Sequence, residues 1–466
     1  MSHDDPDASA AYDGDPRKTF RFWEGPGAPP RIAVWEITLK CDLACCHCGS
    51  RAGAARPNEL NTCEALEVVA QLARLGIREV TLIGGEAYLR DDWLEIARAI
   101  TDAGMACTMV TGGRGFDAWR VEEALAAGIR HISVSIDGLA ATHDAQRGSG
   151  SFDAAVASAR RIAATGRIGL GLNTQINRLS MPELPALADL LLDLGAIVWQ
   201  IQLTVPLGRA ADRPGLVLQP YHLLDLFPLL YRLQTEKLKP RGARIIPGNN
   251  VGYFGPYESA LRYGGEAGRV WSGCHAGRAS LGLEADGKIK GCPSLPSLEY
   301  TGGNVRDLTI EQIWASTPEL RRLGERTTAD LWGLCATCEM AQRCKAGCTW
   351  TAHALFGRPG NNPFCHHRAL KLQSQGLRER LQLVQSAPGE PFDYGRFELV
   401  TEPFDAPLPE EISPSALARF VQLVDISPAA RSVWQADELR SAVAKRKPPV
   451  STAARRVGVG EADQPC

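Results

Sequence analysis

Cys41-Asp-Leu-Ala-Cys45-Cys46-His47-Cys48 follows directly on the apolar run 31–38, RIAVWEIT. Three cysteines spaced C-x3-C-x2-C can wrap one face of an iron–sulfur cubane as thiolates. Three ligands for four irons leave one iron open, and open coordination is what a metal needs to take a substrate. Cys46 fits no such spacing. A structural zinc site is the competing reading. It would want a fourth ligand, and His47, which adjoins Cys48, is awkwardly placed to be one.

Outward from this loop, short apolar runs alternate with amphipathic stretches. Strands are predicted at 31–38, 79–83, 107–111, 131–136, 168–173 and 197–203. Between the first two, Leu66, Val69, Ala70 and Ala73 keep helical i, i+3, i+4, i+7 spacing. Ser180-Met-Pro-Glu183 reads as a capping box opening another helix, with Pro182 in its first turn. Six β–α repeats demand a parallel sheet with right-handed crossovers, which a partial barrel or a doubly wound sheet would both satisfy. A further helix is predicted over 219–238. The Gly/Pro/Asn-rich, aromatic stretch 247–258 (PGNNVGYFGPYE) comes next, and half of all cysteines fall in 274–365. Residues 1–30 are rich in Asp, Pro and Gly and read as flexible. Beyond about 386 periodicity weakens, leaving one predicted helix at 414–424.

The chain has 466 residues, 44% of them hydrophobic and 22% charged, with a net charge near −2. That balance argues against nucleic-acid or membrane electrostatics. The N-terminus is too acidic for a signal peptide, and no run approaches a membrane span. A cytoplasmic protein is expected. Fourteen cysteines in such a chain point to metal or redox chemistry rather than a disulfide framework. Cys46, Cys63, Cys107 and Cys466 lie outside any ligand pattern and read as ordinary reduced thiols. Seven others run Cys274, Cys292, Cys335-x2-Cys338-x5-Cys344-x3-Cys348, then Cys365. Gly287 in Ala285-Asp286-Gly287-Lys288 predicts a tight hairpin turn that brings Cys274 and Cys292 near each other. In isolation the group 335–348 could be a zinc knuckle.

Taken together these motifs resemble the radical S-adenosylmethionine (SAM) enzymes with a C-terminal SPASM domain. Each supporting position follows a predicted strand: Gly84-Gly85-Glu86 after the second, with Ala87 where the family usually has Pro, and Ser135-Ile-Asp137-Gly138, His143-Asp144 and Arg147-Gly148 after the fourth. Asn173 and Gln202 end the fifth and sixth. The resemblance covers about residues 30–400. It implies a (β/α)6 partial TIM-type barrel at 31–245, a connecting loop at 246–270, a SPASM domain at 271–385 and a partly disordered extension at 386–466. It also implies three [4Fe–4S] clusters and SAM as cofactors. Cys41, Cys45 and Cys48 would hold the SAM-binding cluster, and Cys274, Cys292 and Cys348 the first auxiliary cluster. Cys335, Cys338, Cys344 and Cys365 would hold the second. A fourth ligand for auxiliary cluster one is not evident, Glu266 being the only acidic residue in 262–273. Gly84, Gly85 and Glu86 would receive the methionyl amino group, Ser135 and Asp137 the ribose, and Arg147 a carboxylate, with Asn173 and Gln202 lining the pocket.

Relatives of this kind mostly modify ribosomally made peptides. The cysteine loop, Gly84–Arg90, Val205-Pro-Leu-Gly-Arg209 and 247–258 look most like peptide maturases, including the subgroup associated with Gly-Asp-Leu-motif peptides. The expected reaction is hydrogen abstraction from a precursor peptide by a 5′-deoxyadenosyl radical. Sulfatase maturases carry Asp where this chain has Pro293, which argues against formylglycine formation. The alternatives are maturation of a small quinone or modified-haem cofactor and, from another class, a non-catalytic electron carrier, which would leave Glu86, Asp137 and Arg147 without a task. The resemblance also implies a reductant such as flavodoxin or ferredoxin. Residues 1–30 are too few for a leader-binding domain and the tail lacks its pattern. A separate leader-peptide recognition protein, or direct leader binding by the barrel mouth, is therefore expected. In the loop 247–258, Tyr253, Tyr257 and Glu258 are candidate catalytic contacts, since flat apolar faces with polar tips suit an extended peptide.

Overall fold

The computed structural model describes residues 30–252, 255–262 and 273–409. Six parallel strands form its centre: β1 (Ile32–Thr38), β2 (Glu79–Gly84), β3 (Ala106–Thr111), β4 (His131–Ser135), β5 (Gly169–Ile176) and β6 (Val198–Leu203). They pair in chain order. Seven helices accompany them: α1 (Thr62–Leu75), α2 (Trp93–Asp102), α3 (Ala118–Ala126), α4 (Ala140–Arg147), α5 (Ser151–Ala164), α6 (Leu184–Asp193) and α7 (Leu223–Arg232). The predicted helix 219–238 is a 3₁₀ turn, α7 and a π segment in series. Alternation along each strand sorts the residues. Ile132, Val134, Leu170, Leu172, Trp199 and Ile201 face the helices and are buried. On the opposite face Ser135, Asn173 and Gln200 sit in register across three strands, with Gln175 beside Gln202. A parallel sheet buried under helices on one side and lined with polar groups on the other leaves that polar wall for chemistry.

Local details depart from the sequence pattern in two places. Helix α1 forms as expected, closed by an Asn61–Glu64 capping box and a left-handed Gly76 at φ +88°. Its buried stripe, however, is Ala65, Val68, Val69 and Leu72, one position off the predicted face. At Ser180–Glu183 no capping box forms. The Glu183 carboxylate instead accepts from Leu139 N at 2.7 Å and Thr142 Oγ1 at 2.9 Å, tying α6 to the start of α4. Tertiary partners for a buried carboxylate outweigh a local cap.

The sheet continues past both edges of the six-strand core. On one side β7 (Arg244–Pro247) adds in parallel to β6. On the other, β8 (Ser280–Leu283) pairs in parallel with β1 and leads into the antiparallel β9 (Lys288–Lys290) and β10 (Thr301–Asn304). The hairpin predicted at Gly287 is present, with Gly287 at φ +88° donating to Glu284 O. The C-terminal cysteine region is thus built onto the barrel's own sheet. A buried ion network locks this joint. Arg56 bonds Glu36 of β1 at 2.5 Å, and Lys290 of β9 bonds Glu284 at 2.6 Å. Arg56 Nη2 lies 3.5 Å from Glu284, linking the two pairs.

A second sheet pairs β11 (Leu377–Gln385) with β12 (Arg396–Pro403). The domain boundary expected at 385/386 is therefore corrected: it would cut one hairpin in half. Its loop reaches back to the barrel, where Phe392 N donates to Gly49 O at 3.1 Å and Arg51 bonds both Asp393 and Asp212. Tyr253, Glu266, Cys466 and the 1–29 and 414–424 segments lie outside the described residues. Among the described residues no helix is long and apolar enough to cross a membrane.

Candidate active site and metal centres

The cysteine loop leaves β1 at Thr38 and folds across the strand ends. Gly84 and Gly85 are required there because the chain passes directly beneath. A Cβ on Gly84 would lie 2.2 Å from Thr38 O, and one on Gly85 2.2 Å from Lys40 O. The glycines serve backbone-to-backbone contact, a closer constraint than the ligand approach read from sequence. A third support comes from the turn after β6. A Cβ on Gly208 would lie 2.1 Å from Gly49 O. Arg209 donates to the Cys45 carbonyl at 3.2 Å and also to Ala52 O, and Arg213 donates to Cys46 O at 3.2 Å. The stretch Val205–Arg209 is the back wall of the cysteine loop, a role its sequence does not announce.

Each sulfur of the triad accepts an N–H. Cys41 takes that of Leu43 at 3.4 Å, Cys48 that of Ala52 at 3.4 Å, and Cys45 that of Arg147 Nη1 at 3.8 Å. Donors aimed at sulfur are what a cluster-ligating thiolate requires. Burial first, then neighbouring negative groups, pushes Cys41 well above the usual thiol range. Cys45 is pushed up to about 11 by burial, which outweighs the pull of Arg147. As thiolates these side chains therefore need a cationic centre among them, so the donor set fits an iron–sulfur cluster. Cys46 and Cys107 are buried and free.

Beside the triad, Glu86 is 2% exposed. It accepts from Thr111 Oγ1 and Gly112 N, both at 2.6 Å. Burial pushes its carboxyl up to about 7 despite those bonds. A buried acceptor with a destabilised charge is suited to a ligand ammonium. Tyr88 donates to Asp42 at 2.9 Å, stapling the Gly-Gly-Glu turn to the cysteine loop. On the polar wall, Ser135 ends β4, Gln202 lies next to the end of β6, and Asn173 pairs with Ser135 before β5 runs on to Ile176; Asn173 Oδ1 is buried with no hydrogen-bond partner among the described residues. An orphaned acceptor there fits a bound cofactor.

Asp137 and Arg147 differ from expectation. Asp137 is fully buried and already engaged. Its Oδ1 accepts from Gln175 N at 2.7 Å, and its Oδ2 from Arg147 Nε at 2.6 Å. His47 Nε2 lies 3.0 Å from the same Oδ2. Burial would raise its pKa, but Arg147 and then His47 more than offset that and hold the carboxyl well below the usual range. Neither a ribose contact nor an open guanidinium fork matches this geometry. Instead, Asp137 orients His47 inside the cysteine loop and aims Arg147 at Cys45.

Farther along the chain the structure divides the seven remaining cysteines into two nests. The like charges acting on Cys348 are Cys274 and Cys292, while those acting on Cys344 are Cys365, Cys335 and Cys338. That division sets Cys348 apart from the 335–344 run and argues against a contiguous zinc knuckle. Backbone N–H groups again face sulfur, Met340 on Cys338 at 3.4 Å among them. Burial pushes Cys348 and Cys365 up to about 12 and Cys292 up to about 11. The quartet lines a groove shared with Arg368, Lys371 and His367.

The loop after β7 packs onto this region. Tyr257 lies between the rings of Tyr231 and His366, at centroid distances of 5.0 and 5.6 Å, and Glu258 is buried at the start of a short helix. A Cβ on Gly252 would lie 1.5 Å from Phe364 O. These contacts anchor the loop to the segment carrying Cys365.

A half-barrel whose first strand delivers a C-x3-C-x2-C loop over a polar wall of strand ends is the arrangement of a radical SAM enzyme. Residues 35–191 match the radical SAM superfamily and residues 274–339 the SPASM iron–sulfur cluster-binding domain. The chain belongs to that superfamily, whose cofactors are iron–sulfur clusters and SAM. It is 30% identical over 360 residues to an AdoMet-dependent heme synthase of Methanosarcina barkeri, covering 73% of this chain and 97% of that one. It is also 30% identical over 355 residues to the mycofactocin maturase MftC of Mycobacterium tuberculosis, covering 75% and 86%. Among solved structures, Streptococcus suis SuiB bound to S-adenosylmethionine superposes with a TM-score of 0.55 at 16% identity, over 69% of this chain and 74% of that one.

Proposed function

We propose that the chain cleaves SAM reductively and directs the 5′-deoxyadenosyl radical to a C–H bond of a ribosomally made precursor peptide, using three [4Fe–4S] clusters. The observation that carries this is the sorting of ten thiols into three separate nests, most of their sulfurs facing an N–H donor. Cys41, Cys45 and Cys48 would hold the cluster whose chemistry, when bound, is one-electron reduction of SAM. Around it, Glu86 accepts from the methionyl ammonium, held in aim by Thr111 and Gly112. Asn173 offers its unpaired Oδ1 to the cofactor, with Ser135 and Gln202 beside it. Asp137, His47 and Arg147 keep the cysteine loop in register, a positioning task. Cys274, Cys292 and Cys348 hold one auxiliary cluster, and Cys335, Cys338, Cys344 and Cys365 the other.

Similarity to the mycofactocin maturase supports the peptide substrate. Similarity of equal identity to the heme synthase supports a second reading, in which the radical acts on a tetrapyrrole. Flavodoxin or ferredoxin would serve as the reductant. The test is to supply the reconstituted chain with deuterated candidate precursor peptides, taken first from short open reading frames beside its gene. Deuterium in 5′-deoxyadenosine and a mass change in the peptide are expected. No transfer from the peptide, with conversion of an iron tetrapyrrole instead, would establish the second reading.

A further inference from the structure

Arg368 lies between β11 and the cysteine quartet and is 6% exposed. Two of its nitrogens, Nε and Nη2, bond the two oxygens of Glu379 at 2.6 Å each. Its third, Nη1, donates to Asn361 Oδ1 at 2.6 Å and to Asn362 O at 3.3 Å, and lies 3.8 Å from Cys335 Sγ. Glu379 is 3% exposed. The guanidinium is therefore gripped on one side by a carboxylate and presented on the other to a sulfur. The barrel repeats this with unrelated residues: Asp137 grips Arg147 at 2.6 Å, and Arg147 Nη1 lies 3.8 Å from Cys45 Sγ. Packing alone does not require a buried ion pair at either place, since apolar side chains of similar volume usually serve as well or better.

We infer that the Arg368–Glu379 pair sets the reduction potential of the centre held by Cys335, Cys338, Cys344 and Cys365, Arg368 raising it and Glu379 limiting the rise. The inference rests on the proposed assignment of a cluster to that quartet. Reduction adds one electron, making the centre more negative. A cation near sulfur stabilises that state, and an N–H donated to sulfur does the same. A carboxylate behind the cation opposes it from farther away, so the pair acts as a fixed dipole with its positive end toward the cluster. Both charges are buried, so water screens neither. Glu379 stands on β11 and Leu381 of the same strand donates to Gln219 Oε1 of the barrel at 2.7 Å, so the hairpin fixes the negative end of the dipole, while Arg368, just after Cys365, carries the positive end on the cysteine segment.

The test is a dithionite titration of the full-length reconstituted chain followed by electron paramagnetic resonance. The quartet's signal is identified as the one lost in Cys338→Ser. Glu379→Gln should move its midpoint up, leaving the guanidinium unopposed. Arg368→Met should move it down, and the double variant Arg368→Met/Glu379→Met, which leaves no unpaired buried charge, should lie below wild type but not below Arg368→Met. Signals that survive Cys338→Ser should not move. A merely structural pair would not give shifts of opposite sign. A quartet signal that stays put in all three variants, or is lost in all three, overturns the inference while leaving the cluster assignment intact. Wild-type protein with no signal dependent on Cys338 overturns the assignment and the inference with it.

Discussion

The barrel's cysteine triad and the C-terminal cysteines present the same chemistry but are assembled in opposite ways. The triad spans eight consecutive residues at one strand end, and most of what shapes it comes from the barrel's own strand ends, with the β11–β12 loop touching Gly49 and Arg51 beside it. The C-terminal nests draw on segments from 274 to 365, and their sets interleave. Cys348 follows Cys344 by four residues yet belongs with Cys274 and Cys292. A local site survives as a spacing, whereas an interleaved one exists only once β8 has docked on β1 and the β8–β9 hairpin has closed. Metal loading and folding should accordingly be separable in the barrel and entangled in the C-terminal region.

Cysteine substitution gives the largest contrast. Three cubanes correspond to about twelve irons per chain. Replacing Cys41, Cys45 and Cys48 by Ala should leave about eight irons and abolish 5′-deoxyadenosine formation. Replacing Cys335, Cys338, Cys344 and Cys365 should also remove about four irons but leave SAM cleavage in place while substrate turnover stops. Iron analysis and chromatography of the products check both. If the second variant lost SAM cleavage as well, the two regions would be one functional unit and the comparison would fail.

The twin ion pairs come next. Arg147→Met leaves the buried Asp137 with Gln175 N and His47, whereas Arg368→Met strands the buried Glu379. Breaking such a pair costs about 3–5 kcal/mol of stability. Denaturant midpoints of the cluster-free chain should fall in both variants, and further in Arg368→Met, where the carboxylate loses both of its bonds. Glu86→Ala removes a ligand contact rather than an internal pair. It should weaken SAM binding by about 2–5 kcal/mol while iron content stays unchanged, as equilibrium dialysis can measure.

Acid should soften the barrel through His131 on β4, whose pKa burial lowers to about 4. The folded chain keeps this imidazole neutral, while the unfolded chain protonates it near its ordinary value. The stabilising contribution is therefore complete above about pH 6.5 and disappears between there and about pH 4, amounting to roughly 3 kcal/mol. His131→Asn should flatten that part of the stability–pH curve. An unchanged curve would remove His131 from the barrel's acid-sensitive groups, which also include the buried His143 and His222, both lowered to about 3.

What could be read from the sequence follows the same divide. The six central strands were legible because period-two burial shows in five or more residues. The triad and the Gly-Gly-Glu turn were legible because their meaning lies in spacing. β7 and β8 were not, since four residues carry no period and their partners lie elsewhere in the chain. Asp137 was visible as a strand-end acid, but nothing nearby in sequence says that Gln175, Arg147 and His47 fill its lone pairs. At Ser180–Glu183 a capping pattern was legible and misleading, because Leu139 and Thr142 claim the carboxylate. The packing of the aromatic loop was not legible either: nothing near Tyr257 in sequence points to the rings of Tyr231 and His366.

The smallest effect probes the seam between the two regions. Glu64 closes the N-terminus of α1, accepting from Asn61 N at 2.9 Å, and receives Arg306 of the C-terminal region in a two-point contact at 2.6 and 2.8 Å. Arg306 also donates to Asn58 O at 3.0 Å. Both side chains are about one-third exposed, so the ion pair is worth no more than about 0.5–1 kcal/mol and weakens with salt. Asn61→Ala removes the cap itself and should cost about 1 kcal/mol at any ionic strength. Glu64→Gln keeps an oxygen for the cap and loses only the charge, so its cost should be about half of that or less, fading in high salt. Denaturant midpoints at low and high salt separate the two. If Glu64→Gln proved the costlier change, or its cost ignored salt, Glu64 would be acting as more than a cap with a screened surface partner. The joint between the regions would then rest on this pair as well as on the buried Glu36–Arg56–Glu284–Lys290 network.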